Sequence, residues 1–301
     1  MVTAGRVVEV SSRTLLGKCL LRPSREANEL ILGILGRAQR LFPVELFAFT
    51  FMSNHFHWLM RVVSGKRMAG FTGYVKSNVA KELGALYDWK ARFWGGRYHS
   101  MSVADSEPAQ LKRFLYILEN GCKEGLVASP LEWPGVNSAL ALYRGETTLT
   151  GTWYDRTAQY HAKLRGRNEV FPTTETVHLS PLPFLENLTS QQRQAFMVDA
   201  VREIEERTAA THEEQNTRPV GPRKILRRHP HDSPEEFHPS PAPPFCASSQ
   251  AEFLALKEVR DSIIAAYRDA SERFRRGEMN VEFPEDTFPP APPFVETRAP
   301  P

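Results

Sequence analysis

The feature that most limits how this chain can fold is residues 44–63, in which VELFAFTFM and HFHWLMRVV are parted by Ser53-Asn54. Each half is dense in β-branched and aromatic side chains. A Ser-Asn pair between two such runs marks a turn, so the stretch predicts a β-hairpin over 44–52 and 55–63. Around it, residues 7–10 (VVEV) predict a first strand, and 18–21 (KCLL) a short extended piece after Gly17. Ser24 is placed to cap a helix over Arg25–Phe42, with Leu30, Ile34, Leu35 and Leu41 at helical spacing and Pro43 as its stop. A second helix is expected over about 66–87, and residues 93–103 hold a turn and a strand. Asp105 or Ser106 can cap a third helix that runs to about Asn120, with Pro108 tolerated in its first turn and Gly121 ending it. The order β-α-β-β-α-β-α suits an α+β fold: a ferredoxin-like sandwich with an antiparallel sheet and helices on one face.

The remainder divides by composition. Residues 148–215 predict a helical extension, with helices near 153–165 and 190–209. Residues 216–250 are rich in proline and carry the basic cluster Arg218, Arg223, Lys224, Arg227 and Arg228, which predicts a linker. Residues 251–301 open as an amphipathic helix, with Phe253, Leu256, Val259, Ile263, Ala266 and Tyr267 on one side. They end as a proline-rich tail that its phenylalanines could pin to the body. A net charge of +3 is too small to name a nucleic-acid partner by itself. Cys19, Cys122 and Cys246 are scattered and odd in number, against a disulfide framework. Arg6, Glu9 and Arg13 interrupt any apolar leader, and no run of 18 apolar residues occurs. A reducing cytoplasmic setting is the expectation.

Side chains that could do chemistry begin with Asn54-His55-Phe56-His57-Trp58. Strand alternation turns His55 and His57 to the same side, their Cα atoms roughly 6–7 Å apart, where two imidazoles can converge on one divalent ion. The same pair could equally be two polar-face residues. On the third predicted helix, Tyr116 and Asn120 are four apart and share a face, with Lys112 one turn further back. Tyr116 could equally be a boundary tyrosine, ring inward and hydroxyl outward.

The combination resembles the HUH-class single-tyrosine transposases, in particular the REP-associated tyrosine transposases of the IS200-like family. The resemblance rests on Asn54-His55-Phe56-His57, Trp94-Gly95-Gly96-Arg97-Tyr98, Tyr116-Ile117-Leu118-Glu119-Asn120, and the segment from Gly125-Leu126-Val127 to Trp133-Pro134. It spans about residues 5–145 and makes 1–147 the expected catalytic domain. Ser53 and Gly121 stand where that family usually has proline.

The resemblance implies that the chain cleaves and rejoins single-stranded or hairpin DNA. Tyr116 would be the nucleophile that forms a 5′-phosphotyrosine. His55, His57 and Asn120, with Glu119 as rival, would hold Mg2+ or Mn2+. Arg61, Lys76, Arg92, Arg97 and Lys112 would hold the backbone, with Lys66 and Arg67 as further candidates, and Trp94 and Tyr98 would stack on bases. Tyr74 and Tyr87 are rival nucleophiles by residue type. The alternative is a domesticated DNA-binding protein that keeps the fold and no longer cuts. Both a monomer and a homodimer fit.

Overall fold

The computed structural model describes residues 5–233 and 243–292. Its centre is a sheet in the order β2-β3-β1-β4-β7, with β1 Val7–Arg13, β2 Glu45–Phe51, β3 His55–Arg61, β4 His99–Val103 and β7 Phe245–Cys246. The first four strands pair antiparallel, and β7 adds at the edge parallel to β4. The predicted hairpin forms, with Thr50 opposite His57 and Phe51 opposite Phe56. The KCLL piece does not become a strand; a single 3-10 turn at Leu15–Gly17 precedes it.

Helices lie on both faces of the sheet, a correction to the expectation that they share one. Strand alternation supplies the reason. Val8, Val10, Phe56, Trp58 and Met60 face a core with α1 Arg25–Leu41 and α2 Gly65–Leu86. Val7, Leu59, Met101 and Val103 face a second core with Phe114 and Ile117 of α3 Glu107–Leu118. Both sides of these strands carry apolar residues, so both demand a cover. Ser24 caps α1 by accepting from the Ala27 amide at 3.1 Å. Leu41, expected on the buried face, is 44% exposed at the helix end.

After α3 come α4 Asn120–Lys123 and α5 Ala139–Tyr143. Residues 148–215 are not wholly helical. They hold the hairpin β5 Thr148–Tyr154 with β6 Pro172–His178, besides α6 Arg156–Leu164 and α7 Ser190–Glu214. That hairpin lies directly on α1. A Cβ at Gly33 would meet the Thr152 carbonyl oxygen at 2.1 Å, and one at Gly36 the Thr176 amide nitrogen at 2.8 Å, so only glycine admits this approach. Arg37 and Arg40 of α1 both reach the buried Glu175 of β6, at 3.1 and 2.9 Å.

The stretch 216–250 is no bare tether. It forms α8 Pro222–Arg227, which docks through the buried Ile225, and β7; residues 234–242 lie outside the described part. α9 Gln250–Arg275 forms as expected, yet Phe253 and Val259 of its apolar side are at the surface. Phe283 packs on Tyr267 and Phe274, which holds the start of the tail to α9, while Phe288 is exposed; 293–301 lie outside the described part. Among the described residues no helix is long and apolar enough to cross a membrane.

Candidate active site

β3 turns His55 and His57 toward α3, while Phe56 and Trp58 stack on each other in the opposite core. The two imidazoles meet edge-on, their centroids 5.1 Å apart. Each is held by its Nδ1. The Asn54 amide donates to the Gly17 carbonyl at 3.1 Å, which aims its Oδ1 at His55 Nδ1, 2.7 Å away. That oxygen can only accept, so His55 Nδ1 carries the proton. Thr14 fixes Asn54 in turn: its amide and hydroxyl both donate to the Asn54 carbonyl, at 2.9 and 3.0 Å. His57 Nδ1 donates to Oε1 of Glu9 on β1 at 2.6 Å. Both Nε2 atoms are thereby the ones left to meet a cation, and an oxygen on the far ring nitrogen is the usual companion of a ligating histidine.

Asn120 places a side-chain oxygen beside this pair. Its Oδ1 is 3.3 Å from His55 Nε2. With the proton on Nδ1, Nε2 and Oδ1 are two acceptors facing each other. A cation between them, or a turned-over Asn120 amide, relieves that opposition. Neighbouring ligands at ~2.1 Å from an octahedral ion stand ~3 Å apart, so the spacing suits a shared ion. Among the described residues no group of three His, Cys, Asp or Glu is arranged to hold a metal. The Asn120 amide is an oxygen donor beside the two histidines that such a group would not include. Burial, then the neighbouring His57 and Arg13, hold His55 well below the usual histidine range, with the Asn120 contact opposing; this keeps its ring neutral.

α3 delivers Tyr116 because Phe114, Ile117 and Leu118 anchor its other side in the core. The Tyr116 ring lies edge-on to His57 with centroids 5.6 Å apart. The Arg113 guanidinium covers the ring at 4.0 Å, and Lys123 Nζ approaches it at 4.6 Å. Arg113 also pairs with Glu9, the carboxylate that holds His57. Burial and the Glu9 charge raise the Tyr116 hydroxyl above its ordinary value, while Arg113 pulls it down. The sequence predicts that Gly121 ends this helix, but the chain breaks at Glu119 and turns again through α4. Gly121 is needed for contact instead: a Cβ there would meet Val127 at 3.1 Å and Trp133 at 3.3 Å.

Glu9 and Arg113 went unread in the sequence. Glu9 is the one acid inside the apolar run VVEV, a usable signal; Arg113 is three before Tyr116, which shares its face as well as four does. His99 joins them on the same side of the sheet, since both His57 and His99 pair with Ser11. Lys112 is exposed, and Arg113 is the cation that enters the site. Glu119, the rival ligand, is taken by Arg207 of α7 at 2.6 Å.

The other candidates divide by position. Arg61 sits at the far end of β3 from His55, paired with Glu45 and Glu186 at 2.7 and 2.9 Å. Trp94 is a core residue and not a base-stacking platform: it is 8% exposed and its indole donates to the Lys76 carbonyl at 2.9 Å. Gly95, next to it, donates to the Arg13 carbonyl, so the segment runs past the His55 end of the sheet on the α2 side. There Lys76 reaches Ser12 Oγ at 2.7 Å and the Gly96 carbonyl at 3.0 Å; burial, then Arg92, bring its ammonium down to about 8. Arg92 and Arg97 are exposed, and Tyr98 is half-buried against the first core. Of the rival tyrosines, Tyr87 donates to the Arg22 carbonyl at 2.8 Å and Tyr74 packs on Phe42; neither approaches the histidines. Lys66 and Arg67 lie in the first turn of α2 and are exposed.

Residues 24–119 match the sequence family described as IS200-like transposase, so the resemblance read from the motifs is borne out over that segment. The chain is similar in structure to a REP-associated tyrosine transposase bound to a REP hairpin, at 16% identity over 46% of this chain and 79% of that one, with a TM-score of 0.39. It is also similar to a candidate transposase from Deinococcus radiodurans R1, at 17% identity over 38% of this chain and 91% of that one, with a TM-score of 0.29. A search of the curated proteins found no match.

Proposed function

We propose that this chain is a transposase-type enzyme that cleaves and rejoins single-stranded or hairpin DNA through a covalent bond to Tyr116. One observation carries the reading. The Tyr116 ring stands against His57, in a cluster where both histidines are fixed through Nδ1 and Asn120 Oδ1 faces His55 Nε2. His55, His57 and Asn120 are the residues that would hold a divalent ion, Mg2+ or Mn2+. Such an ion, when bound, supplies Lewis-acid neutralisation of the scissile phosphate.

The chain's own groups perform the rest. Burial keeps Tyr116 protonated at neutral pH, so its proton must leave as the phenolic oxygen attacks phosphorus. Arg113 and Lys123, both over its ring, favour the negative charge that then develops. The phenolic O–P bond forms, the bond from phosphorus to the leaving 3′ oxygen breaks, and that oxygen takes up a proton. The products are a 5′-phosphotyrosine and a free 3′-OH. A second 3′-OH reverses the exchange onto new DNA, and the retained phosphodiester energy makes ATP unnecessary.

The test is a labelled hairpin-containing single strand incubated with the protein and Mn2+, then run under denaturing conditions. A protein–DNA adduct is expected from the native chain and none from Tyr116→Phe. An adduct that persists in Tyr116→Phe moves the nucleophile elsewhere. Tight binding with no adduct on any repeat-type substrate favours the non-cleaving DNA-binding protein.

A further inference from the structure

We propose that the docked segment 217–232 is one wall of the active site and holds the leaving side of the cut DNA strand. This deepens the preceding reading and rests on it. The segment is anchored to the catalytic body along its whole length. The Val220 and Gly221 amides donate to the Gly125 and Leu126 carbonyls at 3.0 and 2.8 Å. Arg22 donates to the Leu226 carbonyl at 2.6 Å, Lys18 Nζ to the His231 carbonyl at 2.7 Å, and the Cys19 amide to the Asp232 carbonyl at 2.8 Å. Ile225, 1% exposed, is the apolar pin. A segment so fixed presents its charges in a set direction. Residues 217–232 contain Arg218, Arg223, Lys224, Arg227 and Arg228 against a single acid, Asp232, and all five cations are exposed.

Between this wall and the sheet lies a cavity of about 230 Å3. Arg13, Ser53, Asn54 and His55 line it from the body, Glu124 from the end of α4, and Ile225 and Arg228 from the wall. Two guanidinium groups against one carboxylate leave the cavity net positive. Its place gives the direction of the strand. His57 touches Tyr116, His55 touches His57, and the cavity is lined by His55 but by neither His57 nor Tyr116. In-line displacement puts the leaving group opposite the nucleophile. A strand attacked by Tyr116 therefore departs toward the His55 side, into this cavity and along the exposed arginines of α8. Backbone phosphates are the groups such a row of cations takes, without regard to base sequence.

The experiment compares Tyr116→Phe with Tyr116→Phe carrying Arg223→Ala, Lys224→Ala, Arg227→Ala and Arg228→Ala. All four side chains are exposed and Ile225 is kept, so the fold should survive; circular dichroism and the melting curve check it. Binding of a single-stranded hairpin oligodeoxynucleotide is measured against KCl concentration. Each single-strand phosphate contact adds ~0.7 to the slope of log K against log salt. Loss of the wall should lower the slope by ~2 to 3. An unchanged slope overturns the proposal.

A second arm keeps Tyr116 and shortens the oligonucleotide on the leaving side of the mapped cut. The native wall should lose affinity with each nucleotide removed, and the four-fold variant should be indifferent. Equal loss in both overturns the proposal. The salt arm needs no cleavage, so failure to form any adduct sinks the Tyr116 chemistry and leaves the wall to be judged by its own slope.

Discussion

Replacing Glu9 with alanine tests the centre of the site most directly. Glu9 is 4% exposed, in the middle of β1, and its two oxygens serve His57 Nδ1 and the Arg113 guanidinium, whose side chain is itself only 14% exposed. At close range and an effective dielectric of 20, one such charge pair is worth about 4 kcal/mol. Removing one partner of a buried pair typically costs 3–5 kcal/mol, because the other is left charged and unmatched. Glu9→Ala should therefore destabilise the fold by ~3–5 kcal/mol, a large share of a total stability of roughly 5–15 kcal/mol. Urea denaturation measures it. Glu9→Ala with Arg113→Met should cost less than the sum of the two single changes by ~1 kcal/mol or more, since the orphaned charge is gone. A loss below ~1 kcal/mol, or strict additivity, would refute the claim that Glu9 is the buried anchor of both groups.

The same residue makes a pH prediction. Burial pushes the Glu9 carboxyl up, but the His57 hydrogen bond and the charges of His57 and Arg113 outweigh it, and the net shift is below the ordinary 4.5. A carboxyl depressed in the folded state adds stability above its unfolded pKa and loses it as pH falls through the folded value. The advantage of the native chain over Glu9→Gln should be full at pH 6 and shrink below 4.5. Glu9→Ala also frees the His57 ring, so Mn2+ affinity should fall ~10- to 100-fold as it does when such supporting carboxylates are lost.

Three further changes probe other parts. Gly33→Ala puts a methyl 2.1 Å from the Thr152 carbonyl oxygen, so the β5–β6 hairpin must lift; about 1–3 kcal/mol should be lost, with faster amide exchange in 148–178 than elsewhere. Lys76→Met removes an ammonium brought down to about 8 from 10.5, so from pH 8 to 10 the native chain should gain stability on the variant, seen by denaturation at each pH. Asn120→Ala should raise the Mn2+ needed for half-maximal adduct at least about tenfold, ~1.4 kcal/mol; no change would remove the amide from the ligand set.

Much of the fold was legible because its periodicity is local. The hairpin at 44–63, the Ser24 cap and the helix ahead of Asn120 all follow from runs of neighbouring residues. The two-sided helix cover was legible in principle: Val7, Leu59, Met101 and Val103 fill the second face, and a strand with apolar residues on both sides needs two covers. What local pattern could not reveal was contact between distant segments. Gly33 and Gly36 look like weak points in a helix until Thr152 and Thr176 of a hairpin far along the chain rest on them. The prolines and basic residues near 220 look like a tether until Ile225 enters the core.

The histidine pair illustrates the same division. Spacing on β3 establishes that His55 and His57 share a side, and a pair of surface histidines would share it too. What separates the two cases is the hydrogen bond on each Nδ1. Asn54 is adjacent in sequence, but its side-chain amide is aimed by the Gly17 carbonyl and its backbone carbonyl is held by Thr14, both from the other side of a turn. Glu9 arrives from β1, two positions out of register with His57, which pairs with Ser11. Without these oxygens each ring could rotate, and either nitrogen could carry the proton. With them the proton is assigned to Nδ1 and Nε2 is aimed inward. A chain with the same His-x-His spacing and apolar residues at 9 and 54 would therefore keep the strand and lose the site.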